Sequence, residues 1–374
     1  MRIAILVPMM SGRGGTESAI LGLAQGLEGA GDEVRVYLFG GEPRDPRWIQ
    51  SVHAVILGSR REMRWTRLWR YFFGLAREFR RFRPEAVVAL DSLRLLKGKA
   101  ALALSKQKVP LWSWIHFPVE HIKMGWMLRL ADGHLAISKG IAGQLRDLAG
   151  PSRADRVATI YNAIPVDCVR VPRPARNEAV EFLHIGRLEF AAQKRVADLL
   201  AAAARVRGNF RLTIIGDGPD RAGLEQHGRE LGMSERIAWL GWQTKPWDHV
   251  SKASVLLLTS SYEGFGIVLV EALARGVPCI TSDCKYGPDE IIEHGRNGWL
   301  YPVGDVARLA ELMQAIVDNP GILPSEETAW QSAQKFSRQA VTERARFVFA
   351  SLAKRNPLPS VENQYSRDAT AYRD

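Results

Sequence analysis

Short runs of apolar and β-branched residues alternate with helical patterns along almost the whole chain. Strands that are buried on both faces read as continuous apolar runs, so this pattern predicts parallel sheets covered by helices on both sides. The predicted strands lie at 2–8, 34–39, 53–57, 86–90, 110–115, 132–137 and 156–160, and then at 180–185, 211–216, 236–240, 254–259, 278–282 and 298–301.

A proline-rich stretch without periodicity, residues 162–179, separates the two series of strands. Single cores rarely grow beyond about 250 residues, so a chain of 374 residues with 46% apolar positions has room for two. We therefore predict two doubly wound, Rossmann-like domains facing each other across a cleft. The predicted segments are an N-terminal domain at 1–165, a linker at 166–177, a C-terminal domain at 178–336, a helix at 337–354 that packs back toward the N-terminal domain, and a disordered polar tail at 355–374.

Composition and cysteine content set the expected compartment. The first apolar run ends after about eight residues, which is too short for a secretory signal, and no run approaches the roughly 20 residues that span a bilayer. Three cysteines, Cys168, Cys279 and Cys284, cannot form a fully paired disulfide framework. We expect a cytoplasmic protein.

The net charge of +11 is confined to the first half of the chain. Residues 1–165 carry 25 Lys and Arg against 14 Asp and Glu, whereas the remainder carries 26 of each. The densest part, 60–84, interleaves arginines with aromatic residues at helical spacing, which predicts a basic amphipathic helix. Such a helix could bind an anionic membrane surface. Alternatively, its aromatic residues could pack on the sheet of its own domain while the arginines face solvent. Binding to nucleic acid is a third interpretation, which we rank last.

Gly12, Gly14 and Gly15 follow the first predicted strand and precede a helix. Bare backbone N–H groups at a helix start suit an anionic ligand, although a tight turn alone also explains the glycines. A dinucleotide-binding fingerprint is excluded, because Glu17 occupies the position of its third glycine.

Cations follow the first strand of the second series. Gly186 and Arg187 end that strand, and Lys194 and Arg195 precede the next helix. Arginine forks and lysine point charges suit a diphosphate, although a solvated basic loop is the simpler explanation. Two strands later, Trp242 offers a wall for a planar base.

Two glutamates stand in the otherwise apolar stretch SSYEGFGIVLVEALARGVP, at residues 260–278. Glu263 lies in a predicted loop with Gly264, Phe265 and Gly266, and Glu271 lies in the helix that follows. Their spacing, at most about 12 Å along a helix, suits the two ends of a nucleotide-diphosphate sugar whose phosphates face the helix start. A capping acid and a surface glutamate would give the same pair.

Together and in this order, these motifs resemble glycosyltransferase family 4, the retaining enzymes of the two-domain GT-B fold. Glu263 and Glu271 match its E-x7-E pattern, and HIGRL…QKR, IIGDGP and TIYNAI also match over about residues 1–350. The resemblance implies that Arg187 and Lys194 bind the donor diphosphate beside Gly186, that Glu271 binds the ribose, and that Glu263 reads the sugar hydroxyls with the backbone of 264–266. It also implies that Gly14 and Gly15 close over the phosphates.

His116, which follows the strand PLWSWI, matches the family histidine that contacts the donor sugar. The resemblance thus implies His116, Glu263, Arg187 and Lys194 as catalytic groups in a front-face transfer that retains configuration. No Asp-x-Asp occurs, so we expect neither a metal nor another cofactor.

Strings such as WSWIHFPVEH and LGWQTKPW are most similar to family members that act on the lipopolysaccharide core. The implied reaction moves a hexose, with galactose favoured, from a UDP-sugar to that acceptor. The implied location is the inner face of the cytoplasmic membrane, with 60–84 as the contact and no nucleic acid bound. Another UDP-sugar transferase with a different glycan acceptor, and a sugar-nucleotide 2-epimerase, remain open.

Overall fold

A computed structural model describes residues 1–12, 14–43, 45–59 and 63–353. By internal contacts the chain divides into two compact units, Met1–Ala163 with Arg338–Asp374, and Ile164–Ser337. We call them unit 1 and unit 2. The predicted tail at 355–374 lies outside the described residues, as do residues 60–62 of the predicted basic helix.

Unit 1 is built on a parallel sheet in the order β3-β2-β1-β4-β5-β6-β7. Every strand end lies within one residue of its predicted position, because most of these strands are buried and largely apolar. They are β1 (Arg2–Val7), β2 (Glu33–Phe39), β3 (Ala54–Leu57), β4 (Ala86–Ala89), β5 (Leu111–Ile115), β6 (Gly133–Ala136) and β7 (Val157–Thr159). The helices are α1 (Gly15–Gly29), α2 (Arg64–Trp69), α3 (Leu75–Phe82), α4 (Ser92–Ser105) and α5 (Lys139–Ala149).

Unit 2 repeats the arrangement with a parallel sheet in the order β10-β9-β8-β11-β12-β13. Its strands are β8 (Val180–Ile185), β9 (Phe210–Ile215), β10 (Ile237–Gly241), β11 (Val255–Leu258), β12 (Cys279–Ser282) and β13 (Gly298–Tyr301). Its helices are α6 (Val196–Ala203), α7 (Arg221–Glu230), α8 (Ile267–Leu273), α9 (Pro288–Ile291), α10 (Val306–Asp318) and α11 (Glu326–Ala333).

The last described helix, α12 (Arg338–Ala353), belongs to unit 1 although it follows unit 2 in sequence. Its Phe349 packs edge-on against Trp112 of β5, with ring centroids 5.7 Å apart. Its Arg346 pairs with the buried Asp32 at 2.9 Å. Gly26 of α1 lies so close to Thr342 that a side chain at that position would clash. These contacts fix α12 on α1 and the sheet.

The segment predicted as one helix over 60–84 is divided in the structure. A wide π turn over Arg70–Gly74 separates α2 from α3. Beyond this turn Phe79 and Phe82 are buried in the core of unit 1, whereas Trp69 and Phe73 before and within it are exposed and stack on each other at 4.5 Å. A π turn adds one residue to the helical period, so the aromatic residues of the segment do not share one face.

Within the described residues, no helix combines the length and the apolar character that crossing a bilayer requires. The segment at 164–172, at the start of unit 2, is attached to that unit. The Val171 N–H donates to the carbonyl of Arg275 at 3.0 Å, and the carbonyl of Pro172 accepts from the Ala253 N–H at 3.1 Å. The boundary between the units therefore falls after Ala163, and the first half of the proline-rich stretch packs as part of unit 2.

Candidate functional site

The loop after β8 in unit 2 holds Gly186, Arg187 and Lys194. This loop lies at the carboxyl end of a central strand, where ligands bind in open α/β sheets. Side chains at Gly216 or Gly218 would run into the backbone of the loop, so the neighbouring glycine-rich turn IIGDGP is needed for the two loops to pack together. The turn therefore shapes the edge of the sheet on which the cations stand.

Lys194 and Glu263 are brought together from loops 69 residues apart. The Lys194 Nζ lies 2.6 Å from Glu263 Oε1, and the Ser260 hydroxyl donates to the same oxygen at 2.6 Å. The side chains of Lys194 and Glu263 are only 18% and 8% exposed. A buried carboxylate is costly without a partner, and here the lysine and the hydroxyl both supply one.

The backbone around Lys194 is strapped to the loop that carries Glu263. The Thr259 hydroxyl donates to the carbonyl oxygens of Lys194 and Arg195, at 2.8 and 3.1 Å. The Ser261 N–H donates to the Gln193 carbonyl at 2.8 Å, and the Gln193 amide donates to the Tyr262 carbonyl at 3.0 Å. These bonds hold the cation and the carboxylate in fixed positions.

Arg187 differs from Lys194 in its exposure. Its side chain is 64% exposed, and its guanidinium donates to Glu189 Oε1 at 3.1 Å. Because solvent surrounds the arginine end of this pair, the arginine can exchange the carboxylate for another anion at small cost. Arg187 and Lys194 thus present one adaptable and one fixed cation.

Glu271 lies on α8 and accepts a hydrogen bond from the indole of Trp247 at 3.0 Å. Burial raises the pKa of Glu271, while the indole and nearby Arg275 oppose that rise. The Arg275 guanidinium stacks over the same indole, 4.6 Å from its centre. The bond with Trp247 uses Oε2, and among the described residues Oε1 has no protein partner, which leaves it available to a hydroxyl.

Phe265 and Gly266 shape the turn between Glu263 and α8. Phe265 is buried and packs edge-on against Phe336, so only its backbone is available to a ligand. Gly266 has a φ of +91° as the residue before α8, and Gly264 before it is buried. Gly287 lies so close to the Phe265 backbone that any side chain there would collide with it.

Trp242, predicted as a wall for a base, directly follows β10 and is half-buried. The tryptophan that bonds Glu271 is Trp247, five residues further along the chain. The sequence analysis missed Trp247, Glu189, Ser260 and Gly287. In the folded protein each of them lies near a predicted site residue. The sequence spacing of these residues does not reveal the contact that each one makes.

The predicted residues of unit 1 lie at the carboxyl ends of β1 and β5. Gly14 caps α1 in an extended conformation and Gly15 is the first residue of that helix. The buried Glu17 reaches back from the helix and accepts from the Gly12 N–H at 2.8 Å and from the Ser11 hydroxyl at 3.1 Å. The carboxylate therefore fixes the loop beside the two exposed glycines.

His116 follows β5 directly and is only 6% exposed. Burial lowers the pKa of His116 to about 3, so the imidazole is uncharged at neutral pH. Its ring packs against Trp114 at 4.4 Å, and its buried Nε2 has no hydrogen-bond partner among the described residues. The Nε2 atom can therefore form a hydrogen bond with a neutral group of a ligand.

The arrangement can stabilise negative charge at the unit 2 edge and can hydrogen-bond neutral groups at the unit 1 edge. Fixed cations in a partly dry site stabilise charge that develops on a leaving group. Within the described residues, no three His, Cys, Asp or Glu side chains converge as metal ligands would.

Each of the two units matches a family of known proteins. The family profile described as "Glycosyltransferase Family 4" matches residues 13–167, and "Glycosyl transferases group 1" matches residues 170–340. The lipopolysaccharide 1,6-galactosyltransferase of Salmonella typhimurium is 34% identical over 313 residues, which cover 82% of this chain and 87% of that protein.

Solved structures agree with the sequence relatives. The lipopolysaccharide outer core galactosyltransferase WaaB, in its apo form, superposes with a TM-score of 0.81 at 30% identity, covering 94% of this chain and 100% of that one. HepE from Anabaena in complex with UDP-glucose gives a TM-score of 0.78 at 19% identity over 94% and 100% of the two chains, a likeness of fold alone. The predicted fold and family are confirmed: the chain is a glycosyltransferase of family 4 with the GT-B fold.

Proposed function

We propose that this glycosyltransferase moves a hexose, galactose in the first instance, from a UDP-sugar to a hydroxyl of the lipopolysaccharide core, with retention of configuration. The observation that carries the proposal is the fixed pair of Lys194 and Glu263 beside the exposed Arg187 in unit 2. Glu271 lies on α8, the helix that follows Glu263 in sequence. Relatives named for lipopolysaccharide galactosyltransfer support the acceptor and the sugar. A related fold in complex with UDP-glucose supports a uridine diphosphate donor.

In the proposed reaction Arg187 and Lys194 bind the diphosphate and stabilise the charge that grows on it as the bond to the sugar breaks. The departing diphosphate takes the proton of the acceptor hydroxyl on the same face of the sugar, which retains the configuration. Glu271 binds the ribose through Oε1, and Glu263 accepts a sugar hydroxyl. His116, being neutral, hydrogen-bonds the donor sugar without adding charge.

The experiment is a panel of UDP-, GDP- and ADP-sugars with purified lipopolysaccharide core oligosaccharides, read by nucleotide release and by product NMR. We expect acceptor-dependent release of UDP, with UDP-galactose as the best donor and an α-linked product. If only GDP-sugars or ADP-sugars gave turnover, the assignment of a UDP-sugar as the donor would be wrong. A product with inverted configuration would discard the front-face mechanism, and release of an epimerised sugar without acceptor would replace transfer by epimerisation.

We propose in addition that unit 1 contacts an anionic membrane surface, where a lipid-anchored acceptor is found. Met63, Leu68, Trp69 and Phe73 are each at least 43% exposed. Four arginines of the same segment are also exposed: Arg70, Arg77, Arg80 and Arg81. Each cation near an anionic surface contributes about 1 kcal/mol, and interfacial aromatics add apolar burial.

Binding to vesicles with and without anionic lipid tests the contact. The double variant Trp69→Ser with Phe73→Ser should lose binding, whereas Phe347→Ser, which removes an exposed aromatic residue of α12, should retain it. If the unaltered protein and both variants bound anionic vesicles equally, the membrane proposal would be wrong. The proposal of transferase activity would not be affected by that result.

A further inference from the structure

Glu189 is shared by the two cations of the loop after β8. Its Oε1 accepts from the Arg187 guanidinium at 3.1 Å, and its Oε2 accepts from the backbone N–H of Lys194, also at 3.1 Å. The Glu189 side chain is only 12% exposed. The carboxylate therefore joins a residue just after β8 to a residue just before α6.

The bond to Lys194 closes the loop at a strained point. The next residue, Arg195, has a φ of +46°, a left-handed conformation that non-glycine residues seldom adopt. The Val196 N–H donates to the Glu189 carbonyl at 2.9 Å, so both the backbone and the side chain of Glu189 fasten this turn. The turn places the Lys194 ammonium 2.6 Å from Glu263.

The bond to Arg187 has a different character, since the guanidinium is mostly exposed while the Lys194 side chain is mostly buried. A phosphate offers the arginine two acceptors in the geometry of its fork, which a single carboxylate oxygen does not match. The bond to Arg187 is therefore the one that a diphosphate can replace, while the bond to the Lys194 backbone stays in place.

We propose that Glu189 is a positioning residue for diphosphate binding: it fixes the loop that presents Lys194 and keeps Arg187 beside the site until the diphosphate replaces the carboxylate. This role rests on the proposed function, because it requires a diphosphate at Arg187 and Lys194. Glu189 itself does not touch the donor.

Two substitutions separate the two bonds. Glu189→Gln keeps a carbonyl oxygen for the Lys194 N–H and turns its NH2 group toward Arg187, which frees the guanidinium. Glu189→Ala removes both acceptors and opens the loop. Glu225→Gln is the matched control, because Glu225 pairs with Arg221 at 2.8 Å on the surface of α7 in the same unit.

The readouts are UDP affinity by titration calorimetry, donor KM and kcat, and the thermal midpoint of each variant. We expect Glu189→Ala to weaken UDP binding about tenfold, the loss of one buried charge-assisted bond, and to raise donor KM accordingly. The Glu189→Gln variant should bind UDP as tightly as the unaltered protein or up to about threefold more tightly. The reason is that Arg187 no longer has to break a bond with a carboxylate before it binds the diphosphate. Glu225→Gln should change nothing.

Failure of the role and failure of the proposed function give different results. If the unaltered protein binds no UDP, both are overturned. If it binds UDP and Glu189→Ala binds equally well, or if Glu189→Gln loses as much affinity as Glu189→Ala, only the positioning role is overturned. A merely structural Glu189 would lower the thermal midpoint of both variants and leave UDP affinity unchanged.

Discussion

In unit 2 the loops at the carboxyl ends of the strands carry charges that are already paired, whereas in unit 1 the matching loops carry glycines and an uncharged histidine. Lys194 and Glu263 lie 2.6 Å apart in a strapped pair of loops. His116 is buried against Trp114 with an unpartnered nitrogen. The difference teaches that one parallel-sheet plan can present either an anion-binding edge or a neutral hydrogen-bonding edge, according to which residues follow the strands.

The largest expected effect is on stability at low pH, and it differs between the units. Burial lowers the pKa of His116 to about 3 and those of His134 and His184 to about 4, from an ordinary value of 6.5. Below pH 6.5 these histidines bind protons in the unfolded chain but stay neutral in the folded chain. Stability is therefore complete above pH 6.5 and falls as the pH drops toward 4, by about 1 kcal/mol per pH unit for each histidine.

Chemical denaturation at a series of pH values measures this slope. Unit 1, with two of these histidines, should lose stability more steeply than unit 2, with one. His184→Asn keeps a donor for the Leu257 carbonyl and should reduce the slope, whereas His249→Asn, at an exposed position, should not. A stability that stays level from pH 6.5 to 4.5 would contradict the buried, neutral histidines.

Lys194→Ala should abolish most of the transfer activity. Loss of a fixed cation opposite a leaving group costs about 3 kcal/mol of transition-state stabilisation, or about 100-fold in kcat/KM. The matched control is Lys252→Ala, because Lys252 and Glu178 also pair at 2.6 Å but at an exposed site. The control should keep full activity. Equal loss in both variants, or an unfolded Lys194→Ala protein, would recast Lys194 as structural.

His116→Ala should reduce kcat and leave UDP affinity unchanged, because the histidine is expected to meet the sugar and not the nucleotide. One lost hydrogen bond to a hydroxyl corresponds to about 10- to 100-fold. Steady-state kinetics with the donor varied, together with UDP titration, measures both effects. The exposed His53→Ala is the control. Weaker UDP binding in His116→Ala would place His116 at the diphosphate instead.

Glu271→Gln should raise donor KM about tenfold and leave kcat within about threefold, since a ribose contact binds ground state and transition state alike. Trp247→Phe should have a smaller effect of the same kind, because it removes the indole N–H and keeps a ring beneath Arg275. A loss of kcat alone in Glu271→Gln would contradict the ribose contact.

The smallest expected effect is that of metal removal. Because the protein supplies cations at the unit 2 edge, we expect the reaction to proceed without a metal to offset the diphosphate charge. EDTA should leave the initial rate unchanged within error, measured beside a metal-replenished sample. A rate that falls with EDTA and returns with Mg²⁺ would show that Arg187 and Lys194 do not suffice.

The fold could be predicted from the sequence because its signals are local. A run such as VLLL at β11 is buried on both faces, and Gly186 after β8 and Gly216 after β9 mark strand ends. The interruption of the helical period within 60–84 could not be predicted from the sequence. The π turn depends on how the residues on both sides of it pack, and the local sequence pattern does not show that packing.

The sequence could predict that the candidate residues follow strands, but it could not predict several of their contacts. Glu263 and Lys194 stand at strand ends in the sequence, yet their pairing requires two loops 69 residues apart to be strapped together. The role of Trp247 depends on where a short turn places its indole against α8, which no spacing encodes. Glu189 looks like a polar loop residue until its two oxygens are located.

The central claim is that the unit 2 edge grips a diphosphate through Lys194 and Arg187. Titration calorimetry of UDP against uridine, with the unaltered protein and with Lys194→Ala, tests it most directly. The account predicts that the unaltered protein binds UDP at least about 100-fold more tightly than uridine, and that Lys194→Ala loses most of this difference. Equal affinity for UDP and uridine, or an unchanged preference in Lys194→Ala, would contradict it.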